Sequence, residues 1–374
     1  MKAILSANTD WYLFNFRLNL ARDLQARGWE VVMLSPPGDF AARLETAGFR
    51  WLPWQLGRKT TAPWQETPAL RQVSRIYRVE KPDLVHHHTI KPGIYGSLAA
   101  ARAGVPAIVN SITGRGFVFL GKDLRVQAMR GLVHRLYRRA FRPGNVRAIF
   151  ENRTDRDYFV ERRLIPPERT ALIEGVGVDA AVYTPSPEPD GTPVVLMASR
   201  MLWDKGAGDL VEAARLLGAP GRVRVALAGD PDPGNPNSIA RTQLEAWRTE
   251  GVVEWWGFQE DMPAAIARCN LFALPTRYAE GVPTSLLEAS AGGRAVVSTT
   301  VPGAQDFVQN GVTGLLVPPG DPHALAAALD RLLRDPALRG RMGTAGRARV
   351  LENYTIEIVN ERTFDVYMAL LNGQ

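Results

Sequence analysis

The chain is poor in cysteine, in long apolar runs and, over its first half, in acids. A single cysteine among 374 residues, Cys269, excludes a disulfide framework within the chain and suits a reducing compartment. Between Ile266 and the apolar run at 271–274, its expected role is packing. No stretch reaches the ~18 unbroken apolar residues of a membrane span, and there is no low-complexity tract or clear internal repeat. MKAILSANTD turns polar after five residues, too early for a secretory leader. These absences predict a cytoplasmic protein, or one peripheral to the cytoplasmic face of the inner membrane. Residues 1–185 hold 28 Lys+Arg against 16 Asp+Glu, a net of +12, whereas the remaining residues hold 17 against 22, a net of −5. A basic half predicts an anionic partner, a phospholipid surface or a nucleic acid.

What is present is an alternation of short apolar runs with helical patterns. AILS (3–6) leads to a helix near Phe16–Arg27, then Gly28 and WEVVMLS (29–35); DLVHH (83–87) leads to a helix near Pro92–Ala103. PAIVN (106–110), a basic stretch (124–142) and VRAIF (146–150) continue the series. Such alternation predicts an α/β fold with parallel sheets covered by helices on both faces. The proline-rich segment VDAAVYTPSPEPDGTP (178–193) reads as a linker, after which PVVLMAS (193–199), RVRVALAG (222–229), LFALPT (271–276), RAVVST (294–299) and GLLVP (314–318) restart the pattern. The expectation is two Rossmann-like, doubly wound domains, 1–180 and 181–355, with ligands at the carboxyl ends of the strands in a cleft between them. The last helix, within 356–374, is a candidate to pack back on the first domain.

Charged residues gather at predicted strand ends in the second half. Arg200 and Lys205 in ASRMLWDKG (198–206) follow a strand and precede a helix, a junction that suits a diphosphate, although a solvated loop is the plainer reading. In YAEGVPTSLLEA (278–289), Gly281, Val282, Pro283 and Thr284 lead into a helix whose first N–H groups lack partners, with Pro283 expected as its first residue. Glu280 and Glu288 flank that N-terminus. Capping explains two acids there, since Ser285-Leu286-Leu287-Glu288 matches S-x-x-E, but a Ser285 already inside the helix cannot be its cap. The other reading makes both carboxylates acceptors for hydroxyl groups. Cations for phosphates beside carboxylates for a polyol are what a nucleotide sugar requires, and the combination outweighs capping.

ASRMLWDKG, EGVPTSLLE and AVVSTTVPGAQDFVQNGVTGLLVPPGDPHALAAAL (295–329) resemble the retaining glycosyltransferases of family four, which have the GT-B fold. The family's E-x7-E motif matches Glu280 and Glu288, its R-x4-K pair matches Arg200 and Lys205, and LIEGVGVDAAVYTP (172–185) resembles the family's segment crossing between domains. The resemblance implies that Arg200 and Lys205 neutralise the donor diphosphate as it leaves. It implies that Glu280 binds donor-sugar hydroxyls, that Glu288 binds the ribose, and that backbone N–H groups around Gly281–Pro283 hold phosphate and sugar. No metal or other cofactor is expected. The acidic DPD at 230–232 imitates a metal-binding D-x-D, but in a proline-rich loop a turn is the favoured reading.

The first half departs from the family. Its first loop, SANTDWYLFNFR (6–17), lacks the glycines of many relatives, and Asn8, Thr9 and Asp10 are placed to cap the next helix. VNSITGRGF (109–117) lacks the histidine many relatives carry there. His86, His87 and His88 form a metal site by composition only, because consecutive strand residues point to alternate faces. We expect His88 or Lys91 to face the cleft, with Asn8, Thr9, Asp10, Ser111, Thr113, Gly114 and Arg115 lining the acceptor side. Arg125, Arg130, Arg135, Arg138, Arg139 and Arg142 lie in LRVQAMRGLVHRLYRRAFR (124–142), which holds no acid. Either this is a membrane-surface helix or a domain helix with solvated arginines; the charge imbalance and the implied acceptor favour anionic lipid.

The expected activity is transfer of a hexose or N-acetylhexosamine from a nucleotide donor, expected to be UDP-linked, to a lipid-linked or growing saccharide of a cell-surface glycan. A sugar-nucleotide epimerase or glycosyl phosphorylase would need carboxylates or a cofactor lysine that the sequence does not display. A nucleic-acid or membrane-binding module would leave the four charged residues of the second half without a reason to be together, and no nucleic-acid motif is present.

Overall fold

The computed structural model describes residues 1–57, 66–114, 124–218 and 220–373; Arg115 and the side chain of Arg125 lie outside the described residues. The chain divides into two compact units, Met1–Val176 with Ile356–Gln374, and Gly177–Thr355.

The first unit is built on seven parallel strands: β1 (Lys2–Ser6), β2 (Glu30–Ser35), β3 (Arg50–Pro53), β4 (Leu84–His88), β5 (Ala107–Ile112), β6 (Val146–Phe150) and β7 (Thr170–Leu172). Their order is β3-β2-β1-β4-β5-β6-β7. Strands such as AIVNSI are buried along their whole length because helices cover both faces, which is why they read as runs rather than alternations. The helix after β1 begins at Asp10, earlier than its apolar pattern suggests, because the Thr9 hydroxyl accepts the Tyr12 N–H at 3.2 Å and sets the start. The expected helix at 92–103 instead opens as a π-type turn, Pro92–Gly96, that runs into Ser97–Ala103. Helix Ile356–Leu371 belongs to this unit: Val359, Tyr367 and Leu370 are buried in one core with Leu5, Val31 and Val109.

The second unit holds β8 (Val194–Ala198), β9 (Arg224–Ala228), β10 (Glu254–Gly257), β11 (Leu271–Leu274), β12 (Ala295–Thr299) and β13 (Gly314–Val317). All pairings are parallel, in the order β10-β9-β8-β11-β12-β13. Cys269 is fully buried in this core. In both units the strand order reverses beside the first strand, between β1 and β4 and between β8 and β11. At such a reversal the loops leaving two neighbouring strands diverge to opposite faces and open a crevice. Residues 7–9 and 89–91 border the first crevice; 199–206 and 275–283 border the second.

Candidate functional site

The second crevice gathers charge. Lys205, 9% exposed, places its ammonium 2.5 and 2.7 Å from the Glu280 carboxylate oxygens and 5.4 Å from the Tyr278 ring centre. Burial works against the charged ammonium, but Glu280 and Tyr278 outweigh it and leave the lysine pKa raised. Arg200 is half exposed and meets Asp232 at 2.6 Å. Asp232 also receives the Asn235 amide at 3.4 Å, and its own N–H donates to the Ser238 hydroxyl. The acidic 230–232 segment is extended and anchored on Arg200 through Asp232, and the turn comes after it, closed by the Asn235 N–H donating to the Asp232 carbonyl at 3.0 Å.

Two glycines permit this approach of loops. Gly206 has φ +83°, and a Cβ there would lie 2.0 Å from the Pro275 carbonyl oxygen. Gly303 has φ +89°, and its Cβ would lie 2.3 Å from the Glu280 oxygen and 2.4 Å from that of Gly281. The Glu280 N–H also donates to Pro302 O at 3.3 Å. The segment 300–303 therefore braces the Glu280 backbone, a role the sequence did not signal.

Helix Thr284–Ala291 follows, and here Pro283 is the cap rather than the first helical residue, with φ −63° and ψ 122°. The extended ψ turns its carbonyl toward the helix, where it accepts from Leu286 and Leu287. No side chain caps this end, so the S-x-x-E capping box is not formed. Among the described residues the first-turn donors without a partner are the N–H groups of Thr284 and Ser285. Gly281 and Val282 are buried beside them. Glu288, one turn further, is partly exposed, and burial pushes its carboxyl up to about 7 against a hydrogen bond from Tyr183 that favours ionisation. Tyr183, in the linker, was not singled out from the sequence.

The first crevice holds the acceptor-side candidates. Thr9 is engaged as a helix cap, and Asn8 is partly exposed. Asp10 is buried and accepts the N–H groups of Phe40 at 2.8 Å and Ala41 at 3.0 Å, so its carboxylate organises the loop after β2. Lys91 reaches Glu66 at 2.6 Å and the Gly57 carbonyl. His86 bridges Tyr367 at 2.5 Å and Ser111 at 2.7 Å, while His87, on the opposite face, meets Ser6 at 2.7 Å. His88 is fully buried, 4.0 Å from His86 and 5.7 Å from Tyr12 between ring centres, and neither ring nitrogen has a partner among the described residues. Burial holds the imidazoles of His86 and His88 well below the usual range and lowers that of His87 to about 3. All three histidines are neutral at physiological pH, and no group of three metal-ligating side chains occurs among the described residues.

Thr113 hydrogen-bonds Tyr12, whose hydroxyl also accepts from Arg17 at 2.7 Å; Gly114 follows with φ +121°. Arg17 reaches Glu151 at 3.3 Å with both side chains buried. Burial pushes the Tyr12 phenol up to about 12. Arg17 escaped the sequence reading because one basic residue in a helix gives no sign of burial. Helix Leu124–Ala140 turns Val133, Leu136 and Tyr137 into the core, while Arg135, Arg138, Arg139 and Arg142 are exposed and Arg130 partly so. Its apolar face is occupied by the core of the first unit, against Pro92–Gly96, Ser97–Ala103 and Phe159, leaving an arginine-covered outer face.

Two parallel doubly wound units, with cations and carboxylates gathered at the strand reversal of the second, define the class: a glycosyltransferase of the GT-B fold. Residues 192–335 match the family model for glycosyl transferases group 1, and residues 2–143 the model for glycosyl transferase 4-like domains. The chain is a family-four type glycosyltransferase. It is 24% identical over 96% of its length, and 96% of the relative, to the Campylobacter jejuni N,N'-diacetylbacillosaminyl-diphospho-undecaprenol alpha-1,3-N-acetylgalactosaminyltransferase. It is 23% identical to the capsular polysaccharide biosynthesis glycosyltransferase CapM of Staphylococcus aureus, with 84% of each chain covered. Among solved structures, Anabaena HepE in complex with UDP and glucose superimposes with a TM-score of 0.82 at 20% identity, covering 99% of this chain and 100% of that one.

Proposed function

We propose that the chain is a retaining, metal-independent glycosyltransferase that moves a hexose or N-acetylhexosamine from a UDP donor to a lipid-linked or growing saccharide in cell-surface glycan synthesis. The observation that carries this reading is the convergence of Lys205, Arg200 and Glu280 beside the open first turn of helix Thr284–Ala291. Cleavage at the anomeric carbon builds positive charge on the sugar and negative charge on the departing phosphate. Lys205 and Arg200 stabilise that phosphate where its charge develops, with the N–H groups of Thr284 and Ser285 as further donors. The Glu280 carboxylate accepts sugar hydroxyls beside the developing cation, and Glu288 accepts the ribose. With two side-chain cations at hand, the leaving group needs no metal ion for neutralisation.

UDP complexes of the HepE neighbour and the undecaprenol-linked substrate named for the Campylobacter relative support donor and acceptor classes. His88, Gly114 and Thr113, whose hydroxyl can still accept while it donates to Tyr12, are the acceptor-side groups we retain, because the Asp10 carboxylate and the Lys91 ammonium are engaged within the fold. No helix among the described residues is long and apolar enough to cross a membrane. Contact with an anionic cytoplasmic leaflet would be electrostatic, through the exposed arginines of 130–142 and Arg102, which with Arg139 and Arg142 borders a surface groove. Thermal shift with UDP, GDP, ADP and their sugar conjugates, with and without EDTA, tests the reading. A UDP-selective rise in Tm that survives EDTA is expected. A rise abolished by EDTA would refute metal independence, and no rise with any nucleotide would refute the donor assignment.

A further inference from the structure

Helices Ser97–Ala103 and Leu124–Ala140 pack against each other in the first unit, and an open groove of about 470 Å³ lies beside them, within the size range of small-ligand sites. Leu98, Ala101 and Pro143 give it an apolar lining, and Arg102, Arg139 and Arg142 bring three exposed side chains to it. None of these guanidinium groups has a partner among the described residues, and residues 97–104 and 124–145 contain no acid. Other surface arginines are matched to carboxylates, as Arg27 is to Asp23, Arg215 to Glu250 and Arg224 to Glu254. Three unmatched cations around one concavity repel one another and attract an anion.

The backbone around the groove is braced. The Asn145 amide donates to the Val105 and Pro106 carbonyls at 2.8 and 3.0 Å, which ties the turn after the longer helix to the end of the shorter one. Arg169 donates to the carbonyls of Phe141, Arg142 and Pro143 at 3.2, 3.5 and 2.6 Å, and so pins the turn that carries Arg142 and Pro143. Beneath it the buried rings of Tyr137 and Phe141 lie 5.1 Å apart between centres. Such bracing lowers the ordering cost of binding.

We infer that this groove binds the phosphodiester headgroup of an anionic membrane phospholipid. The inference rests on the reading above that the arginine-covered face meets an anionic leaflet, and it gives that contact a discrete phosphate site. Planar guanidinium groups pair with phosphate oxygens two at a time and would be neutralised by them. The apolar lining suits the glycerol and first methylenes of a lipid, which a free phosphate lacks. Arg135 and Arg138 are exposed on the same helix but do not line the groove, so they contribute diffuse attraction alone.

The test is co-sedimentation of the full chain with phosphatidylglycerol vesicles, comparing Arg102→Gln with Arg139→Gln against Arg135→Gln with Arg138→Gln. Each pair removes two exposed charges, so Tm should be unchanged in both. The groove pair is expected to lower partitioning at least about tenfold more than the outer pair. Arg102→Lys with Arg139→Lys keeps both charges and should restore binding only in part. Equal losses from the two Gln pairs, or full restoration by lysine, would reduce the groove to its charge and overturn the inference while leaving the membrane contact standing. Soluble glycerol 3-phosphate at the same phosphate concentration should not displace the protein from the vesicles; displacement would make the groove a site for a free phosphate ester and overturn the lipid assignment. A wild type that ignores phosphatidylglycerol vesicles, or binds phosphatidylcholine equally well, would overturn the anionic-membrane reading and the inference with it.

Discussion

Replacing Glu288 by glutamine should stabilise the protein while impairing its use of nucleotide. The carboxyl has an ordinary value of 4.5 and is pushed to about 7 by burial, so the folded chain holds this proton more tightly than the unfolded chain. The stability it contributes is therefore complete below pH 4.5, declines as pH rises through 4.5 to 7, and stays lost above 7. The upper bound on the loss is about 3 kcal/mol. Partial solvent access to Glu288 reduces it to roughly 1–3 kcal/mol. Glutamine keeps the shape and an oxygen that can accept from Tyr183, and it carries no charge to lose.

The difference in Tm between Glu288→Gln and wild type should be near zero at pH 4.5 and reach roughly 3–9 °C in favour of the variant at pH 8.5. Unfolding followed by calorimetry between those pH values measures it. Bound UDP should raise the Tm of the variant less than that of the wild type, because a carboxylate accepts ribose hydroxyls more strongly than an amide does. A pH-independent difference, or a variant less stable at pH 8.5, would show that Glu288 ionises without penalty and refute the reasoning.

Lys205→Ala should damage kcat/KM for the donor far more than the acceptor KM, by at least about tenfold, since a charge-assisted contact to the leaving phosphate is lost; equal changes in both would contradict its assignment. Arg17→Met removes a buried guanidinium that bonds both Tyr12 and Glu151 and should cost about 3 kcal/mol in urea unfolding; a loss below about 1 kcal/mol would mean the pair behaves as if solvated. Changing Arg135, Arg138, Arg139 and Arg142 to glutamine should release the protein from phosphatidylglycerol vesicles without lowering Tm, because these side chains are exposed. Unchanged partitioning would dismiss the membrane surface as a partner.

The fold was legible because strand and helix runs carry local signals, as in RVRVALAG, and because GT-B architecture follows a recognisable motif order. Helix starts were less legible where one polar contact sets them. Thr9 begins its helix several residues before the apolar pattern does, and Pro283 became a cap through its extended ψ. Charge pairing was least legible. Lys205 and Glu280 lie 75 residues apart, and Arg17 and Glu151 lie 134 apart, so only the juxtaposition of strand ends reveals them. Local sequence also could not tell that Asp232 holds Arg200, or that Tyr183 in the linker bonds Glu288.

The two crevices satisfy their polar groups differently, and this sets the sign of a last prediction. In the second unit Lys205, Arg200 and Glu288 each have a partner on the chain, so ligand binding there is an exchange of partners. In the first unit the nitrogens of His88, the Thr89 hydroxyl and the Asn110 amide nitrogen are buried without partners among the described residues, and Thr89 holds φ +72°, an unfavourable value for a β-branched residue. Unmet buried polar groups beside strained backbone cost stability and mark a place where a ligand's hydroxyls would be welcome. His88→Leu removes such groups without breaking a hydrogen bond, so the variant should be as stable as the wild type or up to about 1 kcal/mol more so. Its acceptor KM should nevertheless rise while donor affinity is unchanged. Denaturation and steady-state kinetics on one preparation separate the two effects. A destabilisation above about 2 kcal/mol would mean that His88 serves the fold rather than a ligand, and an unchanged acceptor KM would remove it from the acceptor side.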